Sequence, residues 1–187
     1  MPFVTEEFIE SCRLALDDAR PQPAMREVVI RAVAEPAAVI KALGEPKEAG
    51  IETLHHAPDL TILNVVWAPG MTVMPHDHQM LAVIGVYAGG EDNIFWRRAG
   101  DALEAAGAEA IRQGEAASLG HDIIHSVTNP LDRFTGAVHV YSGDFFTQER
   151  SQWDPETLLR EPYDTDHTRQ LFAKANDRYY GRHSNAG

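Results

Sequence analysis

From Ile51 onward the chain is cut into short runs of Val, Ile, Leu and aromatic residues, set off by Gly, Pro, Asp and Asn. This spacing limits the available folds more than any other feature of the sequence. The runs are Leu60–Trp67, Met71–Met74, Leu81–Tyr87, Asn93–Arg98, Ile123–Val127 and Phe134–Tyr141. Strands of this length at this spacing predict an all-β sandwich or barrel. The Ala/Glu-rich stretch 102–117 has helical propensity. Gly100, Gly107, Gly114 and Gly120 divide it too finely for a helix, so it too is expected to form strands.

The segment before Ile51 reads as helix. Thr5 is placed to cap a helix whose first turn carries Glu6 and Glu7, where carboxylates favour the helix dipole. Phe8, Cys12, Ala15, Leu16 and Ala19 form its apolar stripe, and Pro21 and Pro23 should end it. A second helical stretch spans about 24–43. Pro36 opens a new helix within it, and Gly44 followed by Pro46 closes it. The tail returns to helix after a short turn at Asp154-Pro155-Glu156, with Asp166 as a cap and an end near Tyr180. With no repeats or low-complexity linkers, one domain is expected over 1–187: a helical segment 1–50, a β-barrel core 51–147 and a tail 148–187 with a helix.

Charge and composition exclude several function classes. Sixteen Lys+Arg against twenty-eight Asp+Glu give a net charge of -12. Such a chain repels phosphate backbones and anionic membrane surfaces, so neither nucleic acid nor membrane is an expected partner. No apolar run approaches the roughly 20 residues needed to span a bilayer. The N-terminus lacks a basic stretch followed by an apolar core, so no signal peptide is expected. Cys12 is the one cysteine and has no internal disulfide partner. A cytoplasmic location fits these features. They leave the oligomeric state open.

Candidate metal ligands stand out in Pro75-His76-Asp77-His78, where a strand gives way to a loop. Alternate residues of a strand share a face, so His76 and His78 project together and can chelate a divalent ion. The pair alone is weak support for a metal. A third histidine is available at His121 or His125. His121 lies between Gly120 and Asp122 and reads as a loop residue, whereas His125 follows two isoleucines.

Spacing around these residues resembles the two signatures of the cupin superfamily. Gly70, five residues, His76-x-His78, three residues, Ala82, six residues and Gly89 follow the first. His125-Ser-Val-Thr-Asn129, a histidine and an asparagine separated by three residues, follows the second after Gly114 and Gly120. The resemblance implies a mostly β cupin fold, a double-stranded β-helix or jelly-roll barrel with N-terminal helices and a C-terminal helix. The metal would sit inside it on His76, His78 and His125. The usual signature has a glutamate ligand at the position of Ala82. Without it the site is neutral, so a divalent ion keeps its +2 charge, attracts thiolate or enolate, and retains open positions for substrate and dioxygen.

More narrowly, the His76-Asp77-His78 tripeptide, Trp67 nine residues before it, and Gly136-Ala-Val-His139-Val-Tyr141-Ser142 resemble the cysteine dioxygenase-like thiol dioxygenases. The similarity runs from about Leu60 to Phe146. It implies an Fe(II) cofactor on the three histidines, although imidazole ligands also suit Zn, Ni or Mn. It further implies a Tyr141 hydroxyl near substrate and dioxygen, with His139 orienting it two residues away on one strand face. Without the resemblance, His139 and Tyr141 read as a satisfied core pair. Ala137 stands where the family has a serine, which shortens that relay. The family also places a carboxylate-binding arginine before Trp67, and this chain has none between Arg31 and Arg97. His55, His56 and Arg97 are the substituting candidates. The activity implied is oxidation of a small thiol to a sulfinate. The alternatives are a three-histidine cupin acting on an enol or diketone, or a non-catalytic metal-binding cupin.

Overall fold

Proline and glycine placement explains the helical entry to the fold. The computed structural model describes residues 2–100 and 102–184. α1 spans Thr5–Leu16, α2 Pro21–Val33 and α3 Pro36–Leu43. Thr5 does not cap α1: Val4 holds that position without a side-chain hydrogen bond, because Thr5 is already the first helical residue. Pro21 starts α2 rather than only ending α1. At the first helical position its missing N–H is no loss and its fixed φ suits the helix. Met25, Val29 and Val33 then fall on one face, each fully buried.

Eleven strands follow among the described residues: β1 (Gly50–His56), β2 (Thr61–Trp67), β3 (Thr72–Asp77), β4 (Ala82–Ala88), β5 (Gly90–Ala99), β6 (Ala102–Arg112), β7 (Ala116–Leu119), β8 (Ile124–Thr128), β9 (Thr135–Tyr141), β10 (Ser151–Trp153) and β11 (Arg160–Pro162). The stretch 102–117 forms all of β6 and the start of β7. Local helical propensity loses to ladder pairing with β5 along nearly all of β6. β10 and β11 are three residues each, too short to leave a pattern in the sequence. α4 (Thr165–Ser184) ends the described chain. Asp164 caps it through the His167 N–H at 2.9 Å, and Asp166 sits in the first turn instead, within reach of Arg169.

Two antiparallel sheets result, ordered β1-β2-β9-β4-β7 and β11-β10-β3-β8-β5-β6. Between β3 and β9 the chain passes repeatedly from one sheet to the other, which makes a double-stranded β-helix, the cupin fold. The space between the sheets holds one core, including Leu63, Val65, Trp67, Val73, Ile84 and Val127. The outer face of the five-stranded sheet holds a second core with the helices, including Met25, Val29, Leu60, Ile62 and Val138. Both faces of β2 and β9 are therefore covered, and both strands are almost wholly buried. Gly85 lets α2 approach β4 closely: a Cβ there would overlap Val29 Cγ1 and stand 2.9 Å from Val33 Cγ1. α4 closes over the barrel, with Phe172 against Trp67 at 5.4 Å and Asn176 hydrogen-bonded to both backbone groups of Ala49. No helix among the described residues is long and apolar enough to cross a membrane.

Candidate metal centre

Strand register brings the three histidines together. β3 supplies His76 and passes directly into His78, while β8 pairs with β3 so that His125 lies opposite His76. One ring nitrogen from each of the three falls within 4.8 Å of the others, and His125 Nε2 stands 3.3 Å from His78 Nε2. Two imidazole nitrogens bound at about 2.1 Å to one ion would lie roughly 3.0–3.4 Å apart, so this pair already has the spacing of a shared ion. All three side chains are buried. Burial pushes the His76 pKa down to about 4, with the Arg150 charge adding to the effect and the Met74 carbonyl opposing it. Burial, then the neighbouring imidazoles, holds His78 and His125 well below the ordinary histidine range. At neutral pH the three are uncharged, the form a metal binds.

Hydrogen bonds set two of the three tautomers. His76 Nδ1 lies 2.9 Å from the Met74 carbonyl, which can only accept, so neutral His76 carries its proton on Nδ1 and bares Nε2. His125 Nδ1 lies 2.7 Å from Asn93 Oδ1, with the same outcome. Asn93 in turn donates through Nδ2 to Glu91 Oε1 at 3.0 Å. His78 Nδ1 is buried without a hydrogen-bond partner among the described residues. His78 then donates from Nε2 to His125 Nε2, and that contact is the one an ion would replace. Three neutral imidazoles facing one point, two with their lone pairs already bared, suit a divalent transition metal. Ala82, the first residue of β4, is fully buried and offers no ligand.

Beside the histidines, β9 presents His139 and Tyr141. Tyr141 Oη lies 3.1 Å from His139 Nδ1, and its ring packs on Phe145 at 4.5 Å and edge-on to His78 at 5.1 Å. Burial raises the Tyr141 pKa and lowers that of His139 to about 3, so both stay neutral and the phenol keeps its proton. His139 Nε2 has no hydrogen-bond partner among the described residues. All five residues line an inner chamber of about 30 Å³, walled by apolar groups such as Leu63, Val65, Val73 and Val127. Ile51, Phe145, Tyr163, Thr168 and Phe172 also line an outer pocket of about 550 Å³.

Arg150 stands in that outer pocket. Its guanidinium is sandwiched between Phe145 and Tyr163, 3.8 Å from each ring centroid. Nη1 is buried without a hydrogen-bond partner among the described residues. Its charge is felt at His76, His78 and Tyr141. Asp77, the middle residue of the His-Asp-His tripeptide, anchors the segment by accepting the Ser151 N–H at 2.7 Å. A larger pocket of about 850 Å³ lies beyond Arg150, lined also by Gln79, Arg98 and Arg160, but it does not reach the histidines.

His55, His56 and Arg97 lie outside both the chamber and the outer pocket. His55 Nε2 meets Arg13 at 3.2 Å, His56 Nε2 meets Asp144 at 2.9 Å, and Arg97 pairs with Glu104. Arg97 is 70% exposed. His121 is exposed and pairs with Asp122. Sequence reasoning passed over Arg150 because it sought a cation near Trp67. The available signal was an arginine four residues after Phe145-Phe146, with Tyr163 further on. It also passed over Glu91 and Asn93, two polar residues alternating with Asp92 on β5 and thus on one inward face.

No protein-family model matches the chain, and no curated protein matches it. Solved structures overlap it in part. An oxalate oxidase in complex with the substrate analogue glycolate shares 18% identity over 53% of each chain, with a TM-score of 0.41. An RmlC-like cupin with a double-stranded β-helix fold from Methanocaldococcus jannaschii shares 12% identity over 54% of this chain and 84% of its own, at 0.45. The oxalate decarboxylase of Bacillus subtilis, described with Mn(II) centres, shares 14% over 54% and 27%, at 0.44. The aligned part thus spans about half the length of the oxalate oxidase. Overlaps this partial carry nothing about activity across to this chain.

Proposed function

We propose that this chain is a mononuclear non-heme Fe(II) dioxygenase that oxidises a small thiol bearing an anionic group to its sulfinate. The observation that carries the proposal is the donor set: three buried, neutral imidazoles, with Ala82 where a carboxylate ligand would stand. Such a site leaves the negative charge to the substrate, and a thiolate supplies it. When bound, Fe(II) supplies the redox chemistry that joins both atoms of dioxygen to the thiolate sulfur. A thiolate plus dioxygen equals a sulfinate, so no further reductant is required.

The chain's own residues hold and shield the reactants. His76, His78 and His125 hold the ion. The 30 Å³ chamber admits the sulfur end and excludes bulk water, so the rest of the substrate lies in the outer pocket. There Arg150 offers its guanidinium, pre-oriented by Phe145 and Tyr163, to an anionic tail. With His139 Nδ1–H donating to the Tyr141 hydroxyl, Tyr141 keeps its phenolic proton free to give as a hydrogen bond into the chamber. The resemblance to cysteine dioxygenase-like proteins supports the same assignment of His76, His78, His125, His139 and Tyr141.

Metal analysis followed by an anaerobic Fe(II) spectrum with candidate thiols tests the proposal. A new absorption on adding a thiol acid such as 3-mercaptopropionate is expected, from direct sulfur ligation. No spectral response to any thiol, with a response to a 1,3-diketone, would replace this reading by enol oxidation.

A further inference from the structure

Glu91 is the least expected side chain in the barrel. It is fully buried on β5, its carboxylate pairs with no cation among the described residues although Arg112 Nη1 donates to its backbone carbonyl at 3.2 Å, and Oε2 has no partner. Burial raises its pKa to about 7, while Asn93 and the Trp67 indole pull it back. The Trp67 Nε1 nevertheless makes no hydrogen bond of ordinary geometry. A buried carboxylate so poorly compensated costs stability, so its presence here asks for another reason.

Its contacts supply one. Glu91 Oε1 accepts from Asn93 Nδ2 at 3.0 Å, and Asn93 Oδ1 accepts from His125 Nδ1 at 2.7 Å. An Asn amide can be turned either way, and only one direction serves a metal. Turned the other way, Nδ2 would face His125 Nδ1, forcing the proton onto Nε2 and blocking the ligand lone pair. That orientation would also set Asn93 Oδ1 against a carboxylate oxygen, and an ionised carboxylate only accepts. Ionised, as it is above about pH 7, Glu91 therefore selects the amide orientation, and the amide selects the tautomer. The other two ligands lack such a chain: His76 Nδ1 meets a backbone carbonyl and His78 Nδ1 meets nothing among the described residues.

We infer that Glu91 and Asn93 are positioning residues for the metal. Asn93 holds His125 in its Nδ1–H tautomer, and Glu91 locks the Asn93 amide. Together they place a carboxylate two hydrogen bonds from an ion whose direct ligands are neutral. The charge absent at Ala82 is thus supplied one layer further out. Hydrogen bonding of this kind makes a ligating imidazole more basic and fixes its ring. The inference rests on the three-histidine metal reading above.

The test uses the full chain in three forms: wild type, Glu91→Gln, which keeps the shape and removes the charge, and Asn93→Ala. In metal-free protein, long-range proton–nitrogen NMR reads the imidazole tautomers directly. Wild-type His125 should carry its proton on Nδ1, and that preference should vanish in Asn93→Ala. Zn(II) affinity, measured against a competing chelator, should fall about tenfold or more in both variants. Wild-type His125 protonated on Nε2, or variants that bind Zn(II) like wild type, would overturn the inference. If Asn93→Ala does not fold, the wild-type tautomer and Glu91→Gln decide. Wild-type protein that takes up no Zn(II) sinks the metal reading and this inference together. Wild-type uptake with unchanged affinity in Glu91→Gln sinks this inference alone.

Discussion

Tyr141 and Arg150 carry different parts of the proposed chemistry, so their loss should read out differently. Tyr141→Phe removes one hydrogen-bond donor from a dry chamber and leaves the ligands in place. Turnover should fall about 100-fold with iron content unchanged, checked by oxygen uptake alongside metal analysis; normal turnover would remove the role. Arg150→Gln removes a charge-assisted contact worth roughly 1.5–3 kcal/mol. KM for an anionic thiol should therefore rise about 10- to 100-fold, while a neutral thiol such as 2-mercaptoethanol changes little. An equal loss for both thiols would show that Arg150 acts on the fold rather than on the substrate. At this scale the sequence was informative where chemistry and spacing coincide. His76, His78 and His125 announce themselves through Gly70, Gly89 and Asn129 at matching intervals. Arg150 does not, because its meaning comes from Phe145 and Tyr163 folding onto its two faces.

β3 and β10 show how elements position the site. Asp77 is buried at the end of β3, and its carboxylate receives the Ser151 N–H at the start of β10. The strand that bears His76 thereby also fixes the residue next to Arg150. Asp77→Ala leaves a buried amide unsatisfied and should cost about 1–3 kcal/mol. It should also raise KM for anionic thiols in the direction of Arg150→Gln, measurable by denaturant titration and steady-state kinetics. Wild-type stability and KM together would show that β10 is held by other contacts. The barrel strands from β2 to β9 were readable because each carries a clear apolar run or is cut out by glycines. β10 and β11 were not, because three residues are too few to show a period. The start of α2 was misplaced because Pro21 reads equally as the end of one helix and the first residue of the next.

For the whole molecule, burying so many ionisable groups makes stability depend on pH in two opposed ways. His76 and His139 have folded pKa values near 4 and 3 against 6.5 for a free imidazole. Below pH 6.5 the unfolded chain takes up protons that the fold refuses, so metal-free protein should lose stability as pH falls. His76 alone accounts for about 3 kcal/mol by pH 4. Glu91 has the opposite sign, being raised from 4.5 to about 7. Its favourable contribution is complete below pH 4.5 and is lost as pH rises through 7. Metal-free Glu91→Gln should therefore be the more stable protein above pH 7, by up to about 3 kcal/mol, and should converge on wild type near pH 4.5. Thermal melts at pH 5, 7 and 9 check this, and a constant offset between the two proteins would refute it. A carboxylate that destabilises the empty barrel while helping it hold a metal is a trade expected at a functional site.

The central claim joins these scales: three neutral histidines hold iron, and an anionic thiol completes the site and is oxidised there. Simultaneous measurement of dioxygen uptake and sulfinate formation by the Fe(II)-loaded protein with 3-mercaptopropionate tests it most directly. The account predicts one sulfinate formed per dioxygen consumed, with both sulfinate oxygens labelled when ¹⁸O₂ is supplied. Iron-loaded protein that consumes no dioxygen with thiols, or that yields disulfide in place of sulfinate, would contradict it.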